Sequence, residues 1–183
     1  MNPVNAVNTK SDAAHIGKLF DHYFEINEGI GVHKSPKLYG AFPIDAYSHT
    51  PFTKGAQQPG MTGQVKEDVL TRLGELGVFI EAGVLGFQPS LLRDEEFLTS
   101  KKSFTYFNVH QEQETMTLNE GSLAFTYCQV PIVYQVDKAN AITILYTDGT
   151  TDSLKNLVLD SKTSNLIFKR TGIIKQLIVS LKR

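Results

Sequence analysis

At Gly77 the repeat of the apolar residues changes, and that change constrains the fold more than any motif in the chain. Before it, Ile16, Leu19, Phe20, Tyr23 and Ile26 recur at steps of three and four, and so do Val65, Val69, Leu73 and Leu76. These are the stripes of two amphipathic helices, expected over residues 11–28 and 63–76. Ser11 or Asp12 stands where the first helix needs an N-cap, and Gly29 where it stops. Asp68 precedes Arg72 by four residues, the favourable order for a helical ion pair. Gly74 weakens the last turn of the second helix, and Gly77 ends it.

Beyond Gly77 the pattern is one of short β runs with turn residues between them. Strands are expected at Val78–Ile80, Val84–Phe87, Ser103–Val109, Thr115–Leu118, Ser122–Gln129 and Pro131–Gln135. Others follow at Ala141–Tyr146, Thr150–Leu154, Asn165–Lys169 and Ile173–Leu181. Asp148-Gly149 is a strong hairpin signal, while Gly121 and Pro131 read as punctuation between strands. The expected fold class is α+β: N-terminal helices with a long loop, followed by an antiparallel β-sandwich-like domain. Residues 1–76 form the helical and looped segment, and 77–183 the β domain.

Between the two helices the chain is heavily punctuated. Gly29, Gly31, Gly40, Gly55 and Gly60 alternate with Pro36, Pro43, Pro51 and Pro59, so no regular element runs through the segment. An irregular stretch of about 30 residues is uncommon in a compact domain unless it serves a site or wraps another body.

Composition removes several classes of function. Eighteen basic and 19 acidic side chains leave a formal charge of −1, without the clustered Lys and Arg that contact with nucleic acid requires. A lone cysteine, Cys128, excludes an internal disulfide and a Cys-rich zinc site. No apolar run approaches the roughly 20 residues that span a bilayer, and Met1 to Lys10 lacks the apolar core of a secretory signal. The expectation is a soluble, cytoplasmic protein with no membrane or nucleic-acid partner. His15, His22, His33, His49 and His110 form no helix-spaced ligand pair, so no metal is expected. Neither a G-x-S-x-G elbow nor a phosphate-binding glycine motif occurs, and no cofactor is expected.

The candidate chemistry lies in and after the long loop. At Gly60-Met61-Thr62-Gly63 a helix begins, and its free backbone N–H groups can receive an anion or a sugar oxygen. Thr62 serves there either as a simple cap or as a ligand contact. Upstream, Tyr47, His49, Gln57 and Gln58 are neutral hydrogen-bonding groups of the kind that hold sugars. Tyr39, Phe42, Tyr47 and Phe52 offer rings to stack beneath a pyranose, or else anchor the loop to the core. Glycoside hydrolysis calls for a pair of carboxyl groups. Asp45, Glu67 and Asp68 are the carboxylates near this region, although a helix dipole alone favours acidic residues at such a position.

The order of these features resembles a known arrangement. A polar, glycine-rich loop leads to Gly60-Met61-Thr62-Gly63, and a helix ends in Leu73-Gly74-Glu75-Leu76-Gly77. Then come Gly83-Val84-Leu85-Gly86-Phe87-Gln88-Pro89 and Phe104-Thr105-Tyr106-Phe107. Over residues 30–110 this resembles the C-terminal end of (α/α)6-barrel glycoside phosphorylases and hydrolases of the cellobiose-phosphorylase type. The resemblance implies that Thr62 and Gly63 match a phosphate-contacting Thr-Gly and His49 an upstream phosphate-binding histidine. It also implies a catalytic base at Glu67. The chain departs from the family in having no tryptophan and in carrying two helices where a whole barrel has twelve.

The implied function is that of the C-terminal portion of such an enzyme, without complete catalytic machinery. The chain is then a fragment, a split gene product or a small relative. Its catalytic candidates are Glu67 and Asp45; its substrate-binding candidates are Thr62, Gly63, His49, Gln57, Gln58 and Tyr47. The ligand is a carbohydrate or phosphate, and the partner is a second copy or a larger enzyme onto which the chain docks. The alternative is a non-catalytic β-sandwich module for glycan binding or protein assembly.

Overall fold

A computed structural model describes the backbone of residues 13–27 and 62–183, and the side chains of 15–24 and 69–183. The chain divides into two units, residues 1–76 and 77–183.

In the first unit, α1 spans Ala13–Asn27 and α2 spans Thr62–Glu75. Both lie within two residues of the helices expected from periodicity; the cap at Ser11 or Asp12 and the stop at Gly29 lie outside the described residues. The carboxylate of Glu75 links the two helices. Tyr23 of α1 donates its hydroxyl to one oxygen at 2.6 Å, and Arg72 donates to the other at 2.8 Å. Leu76 N–H closes the last turn on the Arg72 carbonyl, and Gly77 follows at φ +70°, the left-handed conformation that commonly ends a helix. One member of the expected stripe departs from it, because Val69 is 55% exposed.

The second unit is built on one five-stranded sheet with two hairpins beside it. The hairpins are β1 (Val78–Glu81) with β2 (Val84–Phe87), and β3 (Lys102–Phe107) with β4 (Gln113–Leu118). The main sheet comprises β5 (Ser122–Tyr127), β6 (Val130–Asp137), β7 (Ala141–Tyr146), β8 (Thr151–Leu154) and β9 (Ile174–Lys182), in the order β5-β6-β9-β7-β8. An eight-residue helix, α3 (Ser161–Phe168), carries the chain from β8 over to β9.

The core is a set of rows across this sheet. Ile132, Leu177 and Ile144 are register partners in one row, and Tyr134, Val179 and Ile142 in the next; all six are essentially fully buried. Period-two alternation in β7 and β9 places these residues on a common face. Each aliphatic member contributes about 1.5–3 kcal/mol by leaving water. Phe87 and Phe125 meet the Tyr134 ring edge-on at 6.0 and 5.2 Å, the arrangement that ring quadrupoles favour. Beyond β9, Arg183 donates to the Leu92 carbonyl, pairs with Asp94 and lies 4.8 Å over the Phe97 ring.

The α+β class is thus observed, with three differences in detail. First, β6 and β9 pair in parallel inside a sheet expected to be antiparallel throughout, because α3 returns the chain in the direction of β8. Second, Asn165–Lys169, expected as a strand, lies in α3 and its C-cap. Asp160 caps the start of α3, accepting from Thr163 N–H at 2.7 Å. At its other end the Arg170 and Thr171 amides bond to the Ile167 and Leu166 carbonyls, a Schellman ending. The apolar run Leu166-Ile167-Phe168 is too short to display a period, so its caps decide the conformation. Third, Pro131 sits inside β6 and is buried, and the turn falls at Cys128-Gln129 instead. Proline is tolerated there because it is the second residue of the strand and the β9 pairing begins only at Ile132.

The β1–β2 hairpin packs closely enough to require glycine twice. A Cβ on Gly77 would lie 2.1 Å from the Gln88 carbonyl carbon, and one on Gly86 would lie 2.3 Å from the Phe79 ring. On its other edge β2 takes up residues 157–159 through the Phe87 amide to Leu157 and the Leu159 amide to Leu85. Ser164 of α3 is completely buried and completes this junction. Its Oγ accepts from the Leu85 amide at 3.0 Å and donates to the Asp160 carbonyl at 2.8 Å.

Candidate functional site

Of the residues singled out from sequence, Asp45, Tyr47, His49, Gln57 and Gln58 lie outside the described residues. Thr62 and Gly63 are the first two residues of α2, and Glu67 lies in its second turn; their side chains are also outside the description. The helix start at Thr62 therefore stands, without a described side-chain contact.

In the second unit the polar groups gather in two places. The first is a cavity of about 80 Å³ at one end of the unit, where the β3–β4 loop, the β5–β6 turn and the approach to β9 meet. Asn108 organises it. Its side-chain carbonyl accepts the His110 and Glu112 amides at 2.8 and 3.0 Å, folding the loop back on itself. Its Nδ2 donates to Glu114 at 2.6 Å and to Glu112 at 3.2 Å. Tyr106 donates to the other Glu114 oxygen at 2.8 Å. Across the cavity, Gln129 Nε2 donates to the Asn108 backbone carbonyl at 3.0 Å, tying the β5–β6 turn to the β3–β4 loop. The Lys175 ammonium makes no ion pair among the described residues, and Val109, Pro131 and Ile174 supply apolar walls.

The electrostatics follow from these bonds. Glu114 is held below the usual carboxylate range, first by Asn108, then by Tyr106, with Lys175 and His110 adding attraction. The Tyr106 hydroxyl is pushed well above the ordinary phenol range by burial, with the Glu114 bond reinforcing the shift.

The second place is a groove of about 510 Å³ between the β7–β8 hairpin and α3. Tyr146 donates to Asp152 at 2.9 Å, Thr163 Oγ donates to Asp160 at 2.9 Å, and Thr150 donates to Asp148 at 2.6 Å. Asp160 is held low chiefly by the Thr163 amide, and Asp148 chiefly by the Thr150 hydroxyl. Each of the two is doing structural duty, as a helix cap and as a turn residue.

Among the described residues no group of three or more His, Cys, Asp or Glu is placed to hold a metal ion. No described helix is long and apolar enough to cross a membrane. His15 and His22 are both exposed on α1, whereas His110 lines the smaller cavity. Comparison with protein-family models and with curated proteins finds no match to this chain.

Sequence reasoning selects none of Tyr106, Asn108, Glu114, Gln129 and Lys175. One local signal exists, since Asn108, His110, Glu112 and Glu114 alternate through a hairpin loop and into a strand. Gln129 and Lys175 join them only through tertiary structure.

Proposed function

We propose that this chain is the terminal portion of a carbohydrate-active protein, and that its β unit binds rather than catalyses. The loop and the start of α2 supply a sugar or phosphate contact through Thr62, Gly63, His49, Tyr47, Gln57 and Gln58. The carbohydrate half of this reading is supported by the order of motifs from Gly60 to Phe107, which resembles the end of a glycoside phosphorylase. The other half is carried by one observation, the hydrogen bonding of the carboxylates that line the two hollows of the β unit: Glu114 accepts from Asn108 and Tyr106, Asp152 from Tyr146, Asp148 from Thr150 and Asp160 from Thr163. Cleaving a glycosidic bond calls for a carboxylic acid whose pKa is raised so that it can donate a proton near neutral pH. Glu114, Asp148 and Asp160 are all shifted the opposite way. Their oxygens are occupied in holding a loop, a turn and a helix end.

Turnover tests the catalytic half. The pure chain is incubated with aryl glycosides and with cellobiose or maltose, with and without inorganic phosphate. No product above the buffer control is expected, and Asp45→Asn and Glu67→Gln should leave that result unchanged. Steady release of sugar or sugar phosphate, abolished by either substitution, would falsify the non-catalytic reading. Titration with cellobiose tests the carbohydrate half, with binding expected in the millimolar range typical of a single small anchor.

A further inference from the structure

An open sheet edge is a row of unpaired backbone groups, and it pairs with another strand unless the sequence blunts it. Among the described residues β1, β3, β4 and β8 all lie at sheet edges, and each carries a charged side chain: Glu81, Lys102, Glu114 and Asp152. The remaining edge is β5, the first strand of the five-stranded sheet. Its six residues, Ser122-Leu123-Ala124-Phe125-Thr126-Tyr127, include no charge, no proline and no glycine, and its register with β6 runs without a bulge. None of the usual devices protects it.

The register with β6 decides which groups of β5 are open. Tyr127 and Val130 close the hairpin around the two-residue Cys128-Gln129 turn, so Leu123, Phe125 and Tyr127 bond to β6 while Ser122, Ala124 and Thr126 face away from it. The Ser122 carbonyl accepts the Leu98 amide at 2.9 Å. The N–H and C=O groups of Ala124 and Thr126 have no partner among the described residues. Thr126 is exposed and Ala124 half-buried, so these groups are within reach of another chain. The far end of the strand is held in place by two left-handed turns. Cys128 and Gln129 adopt φ +49° and +64°, Gln111 of the β3–β4 loop adopts φ +65°, and the Gln129 bond to Asn108 locks turn to loop. An edge fixed in this way gives up little conformational freedom when it pairs.

We propose that β5 pairs antiparallel with β5 of a second copy of this chain, about a two-fold axis at Phe125, so that two five-stranded sheets become one continuous sheet. In this register Ala124 faces the partner's Thr126 and Thr126 faces the partner's Ala124, and every open N–H and C=O of the two residues finds its complement. A two-fold contact needs a segment that is its own complement. An uncharged strand whose open groups are spaced evenly about one residue meets that condition. The side chains agree with it. Leu123, Phe125 and Tyr127 are each half-buried, and they lie on the face where Phe125 meets the Tyr134 ring. Pairing sets Phe125 beside the partner's Phe125 and Leu123 beside the partner's Tyr127, at the non-hydrogen-bonded positions where cross-strand side chains stand closest.

One short strand from each copy makes a small interface, so the expected dissociation constant is roughly 10–100 μM. Sedimentation velocity of the full chain, from about 5 to about 500 μM, should show the mass rise from 20.3 kDa to twice that value. Thr126→Pro removes an N–H that the fold of the single chain does not use, and its ring obstructs the edge. It should raise the dissociation constant at least about tenfold. Thr126→Val keeps the N–H and should dimerise like the parent. Hydrogen exchange on the parent chain reads the same contact without any substitution: the Ala124 and Thr126 amides should exchange freely at the lowest concentration and be protected at the highest. A parent chain that stays at 20.3 kDa throughout the series overturns the proposal. So does a dimer that Thr126→Pro leaves unchanged, or one that forms without protecting these two amides.

Discussion

Replacing Ser164 with alanine tests the claim that α3 is fastened to the β1–β2 hairpin by a side chain rather than by apolar packing alone. Ser164 is fully buried, and its hydroxyl is the partner of the Leu85 amide. The Asp160 carbonyl keeps a bond from the Ser164 amide at 3.0 Å, so losing the hydroxyl donor there costs little. The Leu85 N–H has no such reserve, because Leu85 is completely buried. A buried amide left without an acceptor costs about 1–3 kcal/mol. Alanine recovers about 0.5 kcal/mol through its better helix propensity. The net expectation is a loss of about 0.5–2.5 kcal/mol, or a fall of about 2–20 °C in melting temperature for a unit of about 100 residues. Urea denaturation followed by far-UV circular dichroism reads the total, and hydrogen exchange at the Leu85 amide reads the cause. Asn165→Ala, on the exposed side of the same helix, should stay within about 0.5 kcal/mol of the parent. A Ser164→Ala loss below about 0.5 kcal/mol, with Leu85 still protected, would refute the reasoning.

Two further perturbations separate capping from steric fit. Asp160→Ala should cost about 0.5–2 kcal/mol at neutral pH through loss of the α3 cap. Because the folded state lowers the Asp160 pKa, its contribution is complete above the unfolded value of about 3.9 and fades as pH falls through the folded value. Parent and variant stabilities should therefore converge on acidification below about pH 4; a constant gap down to about pH 2 would show that the carboxylate charge is not involved. Gly77→Ala drives a Cβ to 2.1 Å from the Gln88 backbone at φ +70° and should cost at least about 3 kcal/mol. Gly83→Ala, at φ +76° with nothing within 4 Å, should cost only about 1–2 kcal/mol, so equal losses in thermal melts would show that strain and not collision governs Gly77.

Local sequence determined what depends on neighbours along the chain. The stripes of α1 and α2, the stop at Gly77 and the Asp148-Gly149 turn between β7 and β8 all rest on interactions within about five residues, and all were legible. Gly149 adopts φ +87° and Asp148 accepts the Thr150 amide at 2.9 Å, the local chemistry that this dipeptide announces. Where a segment was ambiguous locally, tertiary structure chose. Leu166-Ile167-Phe168 suits either helix or strand, and it became helix because Asp160 caps it and Ser164 reaches Leu85, 79 positions away. The same helix made β9 parallel to β6, a pairing that no periodicity specifies because alternation looks the same in both directions. The smaller cavity was illegible for a related reason. Asn108, Gln129 and Lys175 belong to three separate β segments, each unremarkable by itself, and the sheet register together with two left-handed turns brings them within reach of one another. Sequence could select the residue types that fold each element; only closure of the sheet could decide which of their polar groups would face the same small space.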